Sequence, residues 1–317
     1  MFSINDLSFS DLYLFKDDPM IKVDGFLEPL EEQYGEETRE LRERVLKRQA
    51  DTNNEEFSIV HNEQRYRVAV YECVSGYEAT LRKIGSDVVD WNKLGFPKHY
   101  LPMLLHKTLQ SERKVVARGG IILIGGKPDS GKSTTSYALI DQIMCHSPWF
   151  GVTIEDPVEM LLPTRYENGA TIRQREIKSS NFDDALRIAL RSNCDLIFVG
   201  EIRTPEGAQL ALQAAQTGHL VITTIHASDL AGSIDRFLSV VGKTDQNQSM
   251  FSNVFRGALW QSLEKSSGLA NRTMNCKALF TDPEVRSRIK NGELERLTSA
   301  LETQQAKIEN GRGLEAS

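Results

Sequence analysis

Residues 119–134 read Gly119-Gly120-Ile121-Ile122-Leu123-Ile124-Gly125-Gly126-Lys127-Pro128-Asp129-Ser130-Gly131-Lys132-Ser133-Thr134. A short all-apolar run, 121–124, enters a loop of the form G-x-x-x-x-G-K-[ST] spanning Gly126 to Ser133, and a helix-forming stretch, 134–144, leaves it. Backbone N–H groups of such a loop wrap phosphates, and the dipole of the following helix favours their charge. Lys132 is placed to reach the outer phosphates and Ser133 to hold Mg²⁺. The candidate nucleotide contacts are therefore Gly126, Asp129, Ser130, Gly131, Lys132, Ser133 and Thr134. Asp129 is the awkward member, because a carboxylate near phosphate oxygens repels them unless it points outward or meets a cation.

Working outward, three more apolar runs, 151–154, 196–199 and 220–225, alternate with helical stretches. Continuous apolar strands separated by helices mean a parallel sheet covered on both faces. The earlier part differs. Residues 57–60 and 66–71 alternate with period two, the mark of half-buried strands. Residues 11–15 are strand-like, Asp24-Gly25 reads as a tight turn, and the charged run 31–48 reads as an exposed helix through its Glu40–Arg44 and Glu43–Lys47 spacing. An amphipathic segment, 103–110, precedes the basic connector Ser111-Glu112-Arg113-Lys114. The expected organisation is a small α+β domain over 1–110, a hinge linker over 111–118 and an α/β domain over 119–317, whose last residues, 311–317, lack periodicity.

The chain has 317 residues, 26% charged and 40% hydrophobic, enough for two domains. Its 38 basic and 44 acidic side chains give a net charge of -6, so the field as a whole steers toward neither nucleic acid nor an anionic bilayer. No basic, aromatic-interleaved stretch marks a DNA-translocating motor. No apolar run reaches the about 20 residues of a spanning helix, and the start, MFSINDLSFSDLYLF, lacks a signal peptide's basic n-region, so a cytoplasmic location is expected. Four cysteines, Cys73, Cys145, Cys194 and Cys276, are scattered singly and argue for reduced thiols rather than a bridge framework or zinc site.

Three downstream segments carry a resemblance. Residues 153–159 read Thr-Ile-Glu-Asp-Pro-Val-Glu, residues 190–203 Leu-Arg-Ser-Asn-Cys-Asp-Leu-Ile-Phe-Val-Gly-Glu-Ile-Arg, and residues 217–226 Thr-Gly-His-Leu-Val-Ile-Thr-Thr-Ile-His. In order, they resemble the acidic box, the Walker B signature and the histidine box of the PilT-like branch of the secretion and pilus ATPase superfamily. Residues 11–14 with 19–25 resemble its opening motif and 278–289 its C-terminal region, so the likeness runs from about residue 9 to about 297. It implies a PAS-like first domain, a RecA-like P-loop NTPase domain, ATP and Mg²⁺ as ligands, and ATP hydrolysis to ADP and phosphate. Departures fall at Cys194, where the family has Pro, at Thr204, where it has Asp, and at 126–129, where it has Gly-Pro-Thr-Gly.

The family assigns Glu201 to the Mg²⁺ site with Ser133, and Glu155 to activation of the attacking water. Both carboxylates close apolar strands, which is where doubly wound sheets present ligands. The resemblance gives His219 and His226 to sensing the γ-phosphate or coupling it to a neighbouring subunit. Seven residues apart on a regular strand they would face opposite ways. Arg82 and Arg118 are its candidates for cations supplied in trans. It further implies a cytoplasmic homohexamer, peripheral to the inner membrane through platform or secretion-channel proteins, and not bound to nucleic acid. Type IV pilus retraction is the leading expectation, with the energising of a conjugative or type IVB secretion system as the alternative.

Overall fold

The computed structural model describes residues 3–23, 25–85, 88–109, 119–177, 181–265 and 272–309. It divides into two compact units, Met1–Asp87 with Pro157–Leu161, and Val88–Asp156 with Leu162–Ser317. The hinge 111–118, Arg118 within it, Asp24 and the tail 311–317 lie outside the described residues.

In the first unit, β1 (Asp11–Leu14), β2 (Met20–Val23), β3 (Phe26–Pro29), β4 (Glu56–His61), β5 (Gln64–Cys73) and β6 (Gly76–Lys83) form one antiparallel sheet in the order β3-β2-β1-β6-β5-β4. Its period-two pattern does what alternation dictates. Tyr66, Val68 and Val70 are buried, while Arg67 and Ala69 between them are only half-buried. Helix α1 (Gly35–Thr52) lays Leu41 and Val45, four residues apart, into the same core. The charged run does form this helix, but one turn later than its charges indicate. Glu31 is extended, a 3-10 turn follows over Glu32–Tyr34, and the helix then runs on until Asn53 stops it in the left-handed conformation at φ 47°. Asn62 and Glu63, at φ 45° and 67°, make the tight β4–β5 turn whose twist suits a hairpin.

The second unit is a seven-stranded sheet flanked by helices. Its strands are β7 (Gly120–Gly126), β8 (Phe150–Glu155), β9 (Thr171–Glu176), β10 (Leu196–Glu201), β11 (Leu220–His226), β12 (Phe255–Lys265) and β13 (Arg272–Phe280). Their order is β13-β12-β7-β11-β10-β8-β9, with every pair parallel except β12 and β13. The four apolar runs are the four central strands, buried on both faces as expected for crossover-connected parallel strands. Helix α2 (Tyr100–Leu109), expected with the first domain, packs here. Its Tyr100 meets Phe280 edge-on at a centroid distance of 5.9 Å. Helices α3 (Lys132–His146), α4 (Phe182–Leu190), α5 (Pro205–Gln216), α6 (Leu230–Val241), α7 (Asp245–Val254), α8 (Pro283–Lys290) and α9 (Leu297–Glu309) complete the unit. The architecture is thus α/β, with a small antiparallel unit followed by a mostly parallel one.

Candidate nucleotide site

The loop between β7 and α3 is the centre of the site. β7 is buried along its whole length and delivers Gly126 to the carboxyl edge of the sheet. A Cβ at Gly126 would stand 2.4 Å from the Ser130 Oγ, so only glycine lets the loop fold back on itself there. Gly131 starts α3 from the left-handed region, at φ 82°. Lys132 is buried at 8% exposure, and its Nζ donates to the carbonyls of Gly126 at 3.1 Å and Lys127 at 2.7 Å. An ammonium resting on carbonyls across its own loop marks the space as one that takes charge. Asp129 is exposed, with φ 57° in the left-handed region.

Parallel strands carry the next two groups to this edge. His226 pairs with Gly126 at the end of β11, and Glu201 ends the adjacent β10. The β10–β11 register shifts between Val199 and Glu201, an irregularity that re-aims the carboxylate at the strand end. The Glu201 Oε1 lies 3.6 Å from His226 Nε2, and its Oε2 accepts from Arg203 Nε at 2.8 Å. His226 Nδ1 is 3.4 Å from Lys132 Nζ. Because an ammonium can only donate, a neutral His226 in this chain accepts at Nδ1 and turns its Nε2–H toward Glu201. Lys132, His226 and Glu201 are therefore brought together.

Glu155 ends β8, two strands beyond β11, and is 3% exposed. Its Oε2 accepts from the Tyr137 hydroxyl, and its Oε1 accepts from Gln174 Nε2 at 3.2 Å. Tyr137 sits on α3, five residues beyond Lys132, with its ring 5.8 Å from that of Phe198. Gln174 in turn accepts from the Leu162 N–H at 2.8 Å through its side-chain carbonyl. Neither Tyr137 nor Gln174 belongs to a motif.

His219 is not brought to the loop of its own chain. It precedes β11 at the amino edge of the sheet, where its carbonyl accepts from the Gly120 N–H at 3.0 Å. Seven residues at about 3.3 Å each put it roughly 23 Å from His226. Its Nδ1 lies 3.0 Å from the Ala214 carbonyl, so the ring closes the end of α5. Arg82, in the first unit, donates from Nε to the buried Asp11 at 2.8 Å across the β1–β6 pair. Asp195 accepts from the Phe150 N–H and ties β8 to β10. Thr204, standing where the family has Asp, still caps α5 by accepting from the Gly207 N–H at 3.0 Å. Burial pushes the Cys194 thiol up to about 11, the state of an inert core sulfur.

Mg²⁺ fits the donors present. Among the described residues no cluster of three His, Cys, Asp or Glu forms a metal cage. Mg²⁺ in phosphate sites needs none, since water and phosphate oxygens complete one or two protein ligands. Ser133, half-buried at the start of α3, and Glu201, at the end of β10, are the side chains that would hold it. The Ser130 Oγ, buried in the loop with no hydrogen-bond partner, is a polar atom left over for a ligand.

Residues 42–306 match the family described as Type II/IV secretion system protein. A twitching motility protein of Neisseria gonorrhoeae is 34% identical over 249 residues, 77% of this chain and 63% of the relative. A type IV pilus retraction ATPase, PilT, of Pseudomonas aeruginosa is 32% identical over 243 residues, 75% of this chain and 66% of the relative. The chain thus matches less than two thirds of the length of these two relatives. Among solved structures, that of the pilus retraction motor PilT with bound ADP superposes with a TM-score of 0.78 at 29% identity. It covers 95% of this chain and 87% of the other. The chain is therefore a PilT-like member of the Type II/IV secretion system protein family.

Proposed function

We propose that the chain is an ATP hydrolase, the subunit of a cytoplasmic homohexameric motor that does mechanical work at a membrane machine, and that this work is retraction of a type IV pilus. The observation that carries the reading is the meeting of Lys132, His226 and Glu201 beside a phosphate loop that runs from a buried strand into a helix. The ADP bound to the similar PilT retraction motor and the ATPase activity named for the similar Pseudomonas aeruginosa protein support it.

Phosphoryl transfer asks the protein for position and charge more than for covalent chemistry. The loop N–H groups and the α3 dipole hold the phosphates, and Lys132 exchanges its loop carbonyls for phosphate oxygens. Ser133 and Glu201 hold Mg²⁺, which when bound neutralises charge on those oxygens. Glu155, kept in place by Tyr137 and Gln174, takes the proton of the water whose oxygen bonds to the γ-phosphorus as the bond to the ADP oxygen breaks. His226 links the loop lysine to Glu201 and so registers the outer phosphate. Arg82 and Arg118 act from an adjoining subunit, and His219, far from its own loop, acts in coupling between subunits. No helix among the described residues is long and apolar enough to cross a membrane; attachment runs through inner-membrane platform proteins.

The test has two parts. Lys132→Ala should abolish nucleotide binding, and Glu201→Gln should bind ATP yet hydrolyse at least a hundredfold more slowly; a Glu201→Gln protein with the parent rate contradicts the site. In cells, removing the chain should leave unretracted pili accumulating on the surface. Unchanged pili with loss of a secreted or transferred substrate would replace retraction by a secretion-channel role.

A further inference from the structure

Beside the phosphate loop, β12 carries a fully buried polar side chain, Gln261. Gln261 pairs with Gly126 in the β12–β7 register and is 0% exposed. Its Nε2 donates to the Ser130 carbonyl at 2.6 Å. The loop is closed tightly over it. A Cβ on Gly126 would lie 2.4 Å from the Gln261 main-chain oxygen, and one on Gly131 would lie 3.2 Å from Gln261 Nε2. The Gln261 Oε1 is buried with no hydrogen-bond partner. A buried amide with one end unsatisfied is costly, and leucine or methionine would fill the same space without that cost. The bond to the loop is what the amide supplies in return.

That bond has a geometric consequence. The Ser130 carbonyl and the Gly131 N–H belong to one planar trans peptide unit, in which they point in opposite directions. Pinning the carbonyl onto β12 turns the Gly131 N–H away from β12, and the left-handed φ of 82° at Gly131 lets the chain enter α3 from that plane. We infer that Gln261 is a positioning residue of the nucleotide site: its amide fixes the Ser130–Gly131 peptide plane and so aims the Gly131 N–H at a nucleotide phosphate. The inference rests on the loop taking nucleotide phosphates, as proposed above.

The experiment uses the full chain and a fluorescent ADP, read by titration, with thermal melting and ATPase kinetics alongside. Gln261→Met keeps volume and removes the donor; it should weaken ADP binding about tenfold and raise KM for ATP by a like factor. Its kcat should stay within about threefold of the parent, with Tm changed by no more than a few degrees. Gln261→Glu, which sets a carboxylate against the Ser130 carbonyl and adds charge beside the phosphates, should lose more. Lys132→Ala separates the two levels of the argument. If it binds ADP as the parent does, the loop reading itself fails. If it loses ADP while Gln261→Met binds normally, or loses only kcat, the loop reading stands and the role of Gln261 is overturned. Should Gln261→Met fail to fold, Gln261→Asn, one methylene too short for the bond, carries the same expectation and the same overturning result.

Discussion

The His226 Nε2 lies 3.6 Å from the Glu201 Oε1, at the ends of two adjacent parallel strands. With its other nitrogen 3.4 Å from the Lys132 ammonium, the ring bridges the loop and the acidic strand end. Replacing His226 by Ala breaks both links without touching the loop backbone. The expected result is a kcat lower by about tenfold to a hundredfold, ~1.4–2.7 kcal/mol at the barrier, with ADP affinity within about threefold of the parent. Single-turnover ATPase together with ADP titration checks it, and an unchanged kcat excludes His226 from the reaction.

Asp129 places an exposed negative charge on the phosphate loop, in a left-handed conformation that glycine adopts without strain. At roughly 8 Å in water, one unit charge repels another by about 0.5 kcal/mol. Asp129→Gly should therefore tighten ADP binding about twofold at low salt. Because the side chain is exposed, the gain should shrink as salt is raised. Titrations at two ionic strengths decide the matter, and equal affinities for parent and variant at low salt would show that the carboxylate does not feel the phosphates.

His219 offers the opposite expectation. With its Nδ1 3.0 Å from the Ala214 carbonyl, it closes the carboxyl end of α5, at the edge of the sheet away from the loop. His219→Ala should lower stability by about 1 kcal/mol through the lost carbonyl contact and leave ADP affinity unaltered. A melting curve paired with ADP titration checks both; a variant that melts like the parent but binds ADP poorly would place His219 in the site after all.

In the first unit, burial works against the charge of Glu37, but bonds from the Ile4 N–H, His61 and Ser3 outweigh it and hold the carboxyl below its ordinary 4.5. The Arg44 guanidinium donates to His61 Nδ1 at 3.0 Å, which leaves Nε2–H for Glu37 at 2.9 Å. A carboxyl whose folded pKa is depressed contributes stability above its unfolded value and loses it as pH falls through the folded one. Glu37→Gln should thus destabilise the chain by about 1 kcal/mol at pH 7, a value already lowered for partial solvent screening. The gap between the two melting curves should be constant from pH 7 to about 4.5, the ordinary value, and narrow as pH falls further; a gap that does not narrow on acidification would mean that charge is not the cause.

What could be read before any coordinates were known is what is contiguous. Strand, loop and helix from Gly120 to His146 form one local unit whose glycines, lysine and serine follow one another along the chain. The four central strands announced themselves because burial on both faces leaves unbroken apolar runs. β9, with the sequence Thr-Ile-Arg-Gln-Arg-Glu, did not, since an edge strand keeps polar side chains and loses the signal. The hairpin of β12 and β13 is not legible in the sequence, because its mixed apolar and polar residues fit neither an unbroken run nor a strict alternation.

The site divides the same way. The motifs name Lys132, Glu201 and His226, but their meeting depends on which strands lie side by side, and the order β7-β11-β10 is a property of the packed sheet. The partners of Glu155 and of Ser130 follow no spacing rule at all. Tyr137 is 18 residues from Glu155, and Gln261 is 131 residues from Ser130. Such hydrogen bonds are set by strand register and by which atoms burial leaves in need of a partner, so folding in three dimensions alone decided them. The phosphate loop alone needed no packing to be legible, because a backbone cradle followed by a helix is built from neighbours along one chain.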